Sequence, residues 1–283
     1  MKASELIIKT IDIPGVPMVA LEIMKLIDQS HTSLDDLQQA IIADEALAAR
    51  ILKMANSSFY GVHQNINTIS EAIAIMGFKT LRTIMLAAST RDVYKRFGLT
   101  EQKMWEHSLG VSVAAGIIAA EMPLLNNEEV VVAGLLHDVG KTILNNSQPE
   151  RFSFITQRMN EERVTFASLE LEIFGFTHTE IGYLLSEKWG FPQTLSNVIL
   201  YHHAGYSDVQ SLADPYTRTL CQVIALSDAL CIRLGVGYRG PMADLELGED
   251  QWQEALGISE ERFAAITANF KSAYMHKKLS YRE

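Results

Sequence analysis

Five of the eight histidines fall between positions 107 and 203: His107, His137, His178, His202 and His203. Asp138 follows His137 directly, and Asp228 sits inside the apolar run CQVIALSDALCIRL. A buried carboxylate without a partner is very costly, so Asp228 must be paired, hydrogen-bonded or bound to a cation. Imidazole and carboxylate together form a borderline-hard donor set that suits Fe, Mn, Zn or Mg better than copper. A vicinal His-Asp pair lets the carboxylate bridge two ions while the imidazole binds one. Ions about 3.5–4 Å apart clamp the attacking and leaving oxygens of a phosphoryl displacement and lower the pKa of a bound water. The chemistry expected is therefore binding of one or two divalent ions. It requires Asp228 to come within about 8 Å of the 137–138 pair.

Each residue also has a plainer reading. A lone helical histidine is usually structural or exposed, and His31, His63 and His276 are read that way. Without a cation, His137 and Asp138 would cap a helix, and Asp228 would pair with Arg233 or Lys141. Lys141 near a helix end would also answer the helix dipole. His203 adjoins His202, and neighbouring helical positions point about 100° apart, so it supports the site from outside or faces solvent.

The elements that must position these residues are helices. Apolar residues recur at helical spacing nearly throughout, and no period-2 run bounded by hairpin turn residues stands out, so the fold class is all-α. Val19, Ile23, Leu26 and Ile27 stripe one helix, and Leu34, Leu37, Ile41 and Ile42 stripe the next. DEALAARILKMANSS reads as a helix ending near Asn56, and SEAIAIMGFKTLRTIMLAAST as two helices broken at Gly77. The polar join TRDVYKRFGLTEQK places a lobe boundary near residue 95, giving lobes 1–95 and 96–283. Beyond it, MWEHSLGVSVAAGIIAAEM makes a long central helix, and NNEEVVVAGLLHDVGK a helix closing at Gly140 with Lys141 just beyond. Further helices are expected at 149–160, 163–173, 178–188, 193–203, 216–234, 251–256 and 259–275. The stretch 235–250, with four glycines and a proline, is the most irregular.

With 48% apolar residues, the 283-residue chain can bury a sizeable core. Its net charge of −10 argues against a sequence-independent grip on nucleic acid, which needs clustered Lys and Arg. Cys221 and Cys231, ten residues apart on one helix, would stand roughly 15 Å apart and cannot pair. That cysteine usage, an N-terminus MKASELIIKTIDIPG without a secretory pattern, and no long apolar run together predict a cytoplasmic protein.

HDVGK at 137–141, with His107 upstream and Asp228 downstream, resembles the H…HD…D signature of the HD-superfamily metal-dependent phosphohydrolases. The first third resembles the HDOD subgroup through IPGVP at 13–17, IIADEALAARILKMANSSFYG at 41–61 and ISEAIAIMGFKTLRTIMLA at 69–87. The resemblance covers about residues 13–234 and implies an N-terminal helical lobe with an HD-type helical lobe. HDOD proteins are usually described as bacterial signalling or scaffold modules that have lost several ligands. This chain departs from that pattern, because its histidines are also similar, motif by motif, to those of the HD-GYP phosphodiesterases. That likeness implies a first ion on His107, His137, Asp138 and Asp228. It implies a second, bridged by Asp138, on His178, His202 and His203, with Lys141 neutralising the scissile phosphate. Two positions differ: Lys103 stands where a glutamate is expected, and HHAGYSD at 202–208 replaces the GYP motif and its preceding HHE. The first removes a ligand for a third ion, and the second weakens the case for cyclic di-GMP as substrate.

Two functions follow. One is a metal-dependent phosphohydrolase or phosphodiesterase acting on a nucleotide or cyclic dinucleotide, with Asp138 and Lys141 in catalytic roles. The other is a non-catalytic regulatory module in bacterial signal transduction, with a phosphate-containing small molecule or a signalling protein as partner.

Overall fold

A computed structural model describes residues 98–189, 191–237 and 247–280, together with 66–75, 77 and single positions at 33, 37, 38, 41 and 51. The IPGVP motif, the 55–61 stretch, His31 and His63 lie outside the described residues, as does most of the irregular 235–250 segment. The chain divides into two compact units, Pro14–Val93 and Met1–Ile13 with Tyr94–Glu283. All regular structure among the described residues is helical, and no strand occurs. None of these helices is long and apolar enough to cross a membrane.

In the first unit, residues 69–75 are helical. The Thr68 hydroxyl accepts the Glu71 N–H, and the Glu71 carboxylate accepts the N–H groups of Asn67 and Thr68. This reciprocal cap defines where the helix starts. Gly77 has φ +76°, a left-handed conformation open to glycine, and the neighbours that would show the break expected there lie outside the described residues.

The second unit is a stack of helices in the order α1 Leu99–Ala119, α2 Asn127–Leu136, α3 Val139–Ser147, α4 Pro149–Glu162, α5 Phe166–Phe174, α6 His178–Lys188, α7 Gln193–Tyr201, α8 Tyr206–Gln210, α9 Pro215–Leu234, α10 Glu249–Leu256 and α11 Glu260–Ser280. Helix α1 is central. It packs on α2, α9 and α11, while α6 packs on α3 and α7. A Cβ on Gly134 of α2 would lie 2.7 Å from the Ser112 Cα of α1, so the two backbones touch where a side chain would hold them apart. Val111, Ile118, Ile143, Leu144, Val223 and Ile224 are buried in this core. Cys221 and Cys231 are free thiols buried on α9.

Helix starts follow local chemistry. Thr177 and Glu180 cap α6 reciprocally, and Asp214 accepts the N–H groups of Tyr216 and Thr217 ahead of Pro215 at the head of α9. The structure differs from expectation in three places. The helix expected from residue 163 begins at Phe166, because Arg163 ends α4 in a left-handed conformation with φ 56° and Thr165 supplies a new cap. A short helix, α8, follows His203 where none was expected. The helix expected to close at Gly140 stops at Leu136. His137 and Asp138 form the turn, and Gly140 and Lys141 belong to the first turn of α3. Gly140 is there for close approach: a Cβ on it would fall 1.9 Å from the carbonyl oxygen of His178.

Candidate metal centre

Four helix ends and two helix interiors deliver the site. His107 lies inside α1 and Asp228 inside α9, His137 and Asp138 join α2 to α3, Lys141 is in the first turn of α3, His178 opens α6, and His202 and His203 follow α7. All but His203 are buried. The side chain of His203 is 26% exposed and marks the solvent side of the group.

The ring orientations carry most of the argument. The Nδ1 of His137 sits 2.7 Å from the carbonyl oxygen of Gly134, that of His202 sits 2.9 Å from the carbonyl of Ile199, and that of His107 sits 3.1 Å from the carbonyl of Val236. A carbonyl only accepts, so each Nδ1 donates and must carry the proton. The Nδ1 of His178 likewise donates, at 2.6 Å, to a carboxylate oxygen of Glu170. In the neutral rings, all four Nε2 atoms are then bare lone pairs. This outer hydrogen bond is the usual means of orienting a metal-binding histidine.

Those four lone pairs converge on two carboxylates. His178 Nε2 and His202 Nε2 are 3.3 Å apart, and they lie 3.2 and 3.5 Å from Asp138 Oδ1. His107 Nε2 is 2.8 Å from Asp228 Oδ1, and His137 Nε2 is 3.9 Å from the same oxygen, well inside the 8 Å limit. Asp138 Oδ2 is 3.5 Å from His137 Nε2 and 3.8 Å from His107 Nε2, so this residue stands between two groups. One group is Asp138, His178, His202 and His203, and the other is His107, His137 and Asp228. Within each, one donor atom per residue lies within 4.8 Å of the rest.

The residues present fit a cation. His137 Nε2 and Asp138 Oδ1 are buried with no hydrogen-bond partner, a costly state for polar atoms unless an ion satisfies them. Two lone pairs facing each other at 3.3 Å repel. Donors about 2.1 Å from one shared ion would sit at roughly 3.0–3.4 Å from each other in octahedral or tetrahedral geometry.

The electrostatics favour ligand protonation states at His137, Asp138 and Asp228, and hold a proton on His178 instead. Burial, reinforced by His202 and His107 and opposed by Asp138 and Asp228, pushes the His137 imidazole down to about 3, so it is neutral near pH 7. Burial disfavours the charged form of Asp138, but Lys141 and then His137 override it and hold the carboxyl well below its usual range. For Asp228 the same penalty is overridden first by a hydrogen bond from His107 in the ring form that carries a proton on Nε2, a proton that a bound cation would displace. Burial also opposes protonation of His178, yet Glu170 outweighs it and the imidazole is shifted upward.

The plainer readings of Asp228 and Asp138 do not hold. Arg233 pairs with Glu249, at 2.8 and 2.6 Å, and Lys141 donates to Asp138 Oδ2 at 2.6 Å, so neither of these pairings involves Asp228. Asp138 occupies the cap position of α3, but its side chain makes no capping hydrogen bond. Glu170 was missed from the sequence, although a signal was there. In FASLELEIF it shares a face with Phe166 and Phe174, four residues to either side, and so must point into the core.

The HDOD domain family matches residues 13–205, and the chain belongs to it. A crystal structure of an HDOD domain protein of unknown function from Geobacter sulfurreducens is 28% identical, with a TM-score of 0.75 over 96% of this chain and 93% of that one. A Shewanella amazonensis SB2B structure, named as a candidate metal-dependent phosphohydrolase, shares the fold at 20% identity and TM-score 0.66, over 98% of this chain and 95% of that one. An uncharacterized Treponema pallidum protein is 26% identical over 193 residues, 68% of this chain and 38% of that protein. Ribonuclease Y of Latilactobacillus sakei is 28% identical over 187 residues, 64% of this chain and 28% of that protein. The chain thus spans well under half the length of the curated relatives it matches.

Proposed function

We propose that this HDOD-family chain is a metal-dependent phosphohydrolase acting on the phosphodiester of a nucleotide or cyclic dinucleotide. The observation that carries the proposal is Asp138, whose two oxygens reach toward two separate sets of imidazole lone pairs. That is the arrangement a bridging carboxylate needs. When bound, a pair of divalent ions supplies positive charge to the phosphoryl oxygens and activates water for attack.

The chain's own residues have distinct tasks in this reading. His107, His137 and Asp228 would hold one ion and His178, His202 and His203 the other, with Asp138 placed to serve both. Lys141, buried beside Asp138, offers its ammonium to the anionic phosphate as a point charge. The name of the Shewanella neighbour and the likeness to a ribonuclease support the phosphate-ester class.

The test is hydrolysis by full-length protein loaded with Mn, Fe, Zn or Mg in parallel. Bis(p-nitrophenyl) phosphate, a panel of cyclic dinucleotides and a short oligoribonucleotide serve as substrates. Cleavage that Asp138→Ala abolishes while the helical circular dichroism is retained supports the proposal, and no cleavage of any substrate with any metal refutes it.

One observation favours the regulatory reading instead: Lys141 already occupies Asp138 Oδ2, the oxygen that faces the His107–His137 pair. A module that binds a phosphate-containing effector without cleaving it would need that contact to open only on effector binding. Such a module would capture a nucleotide stoichiometrically and release it unchanged.

A further inference from the structure

Glu170 on α5 is fully buried, and one of its oxygens, Oε2, accepts both the backbone N–H of His178 at 2.9 Å and the ring Nδ1–H of His178 at 2.6 Å. Among the described residues it takes the Nδ1 proton of His178 at hydrogen-bond distance, whereas His107, His137 and His202 each use a backbone carbonyl and the His203 Nδ1 lies 3.4 Å from Asp228 Oδ2. Its second oxygen, Oε1, has no hydrogen-bond partner. The start of α6 does not need this carboxylate for capping, because Thr177 and Glu180 already cap it reciprocally. A buried charge with an unsatisfied oxygen is a poor choice for folding alone, and an amide would accept the same ring proton without burying a charge.

We propose that Glu170 is a positioning residue for the metal centre. It fixes His178 as the Nδ1–H tautomer, aims the Nε2 lone pair toward Asp138 and His202, and increases the ring's electron donation to the ion held there. The proposal rests on the cation-binding reading of the site. Carboxylate–histidine–metal relays act in this way, and loss of such an outer partner typically lowers metal affinity 10–100-fold. Neutral Gln at this position keeps an acceptor for the ring proton and removes the charge. Ala removes both.

The experiment compares wild type, Glu170→Gln and Glu170→Ala as full chains. Nitrogen NMR of the histidine rings in the metal-free proteins reports the tautomer of His178. Titration with Co2+ or Mn2+ reports affinity, and thermal melting reports stability. We expect the Nδ1–H form in wild type and Glu170→Gln, a mixture of tautomers in Glu170→Ala, and metal affinity falling 10–100-fold in Glu170→Ala with a smaller loss in Glu170→Gln. Variants that keep the wild-type tautomer and affinity overturn the role of Glu170 and leave the metal centre standing. So does an equal loss of affinity at both halves of the site that tracks a fall in melting temperature, because that marks a purely structural residue. A wild-type chain that takes up no cation overturns the metal-centre reading itself, and the claim for Glu170 falls with it.

Discussion

Replacing Gly140 by alanine adds one carbon where α3 meets the start of α6. That carbon would lie 1.9 Å from the His178 carbonyl oxygen and 2.8 Å from the Gly182 nitrogen, and both obstacles are backbone. Side-chain rotation cannot relieve the clash. To reach the 3.0 Å that real Cβ contacts respect, α6 must retreat from α3 by about 1 Å along that line. Overpacking of this kind costs about 1–3 kcal/mol, and the rigidity of the obstacle places it near the upper end. Alanine's better helix propensity returns ~1 kcal/mol. A net loss of about 2 kcal/mol corresponds to a melting temperature lower by roughly 4–8 °C for a domain of this size. The effect on the site is larger, because coordination tolerates only about 0.2 Å of error and His178 moves with α6. Metal affinity should fall by at least tenfold in a variant that remains folded at 25 °C. Thermal melts and Mn2+ titrations of Gly140→Ala beside wild type check both numbers. Unchanged melting and unchanged affinity would refute the close-packed geometry on which the site depends.

Other outcomes follow from the same geometry. Asp228→Ala removes the carboxylate 2.8 Å from His107 Nε2 and should cost one bound ion per chain, read by elemental analysis, with the helical circular dichroism retained. Metal-free protein should lose stability as pH falls from about 6.5 toward 3. In that window the unfolded chain protonates His137 and the folded chain does not, so unfolding free energy drops with a slope that approaches about 1.4 kcal/mol per pH unit below pH 6.5, and His203, also shifted downward by burial, adds to the same trend. His178, shifted upward, contributes its stabilisation in full below pH 6.5 and leaves that slope unchanged. Urea titrations at pH 6.5 and 5.5 read the difference, and equal stabilities would show that His137 is charged in the folded state. Arg262→Ala breaks an exposed ion pair with Glu121 and should leave the urea midpoint unchanged in the same titration.

Much of this was legible in the residues, for identifiable reasons. The helical class follows from apolar spacing, and the start of α6 from Thr177 and Glu180, which act within one turn of chain. Asp228 announced itself because no carboxylate sits in CQVIALSDALCIRL without a partner. The partners were less legible. That His107 rather than Lys141 faces Asp228 depends on how α1 and α9 pack, and periodicity on each helix does not encode the rotation of one against the other. Gly140 looked like a helix terminator because glycine commonly is one. Its actual reason, contact with a backbone 38 residues later, belongs to tertiary packing. Arg163 ends α4 in a conformation that arginine seldom adopts, so composition gave no warning of the break before α5. Glu170 was within reach of pattern reasoning, but its role depends on His178 lying beside it in space.

The central claim is that lone pairs from four helix ends and two helix interiors share divalent cations across Asp138. Elemental analysis tests it most directly, using full-length protein purified without chelator or metal-affinity resin and then dialysed against trace Mn, Fe and Zn. One to two ions per chain in wild type, falling to near zero in a folded Asp138→Ala/His137→Ala double variant, is the result expected. Wild-type protein that stays metal-free after such dialysis, or a double variant that retains the same metal content, would contradict it.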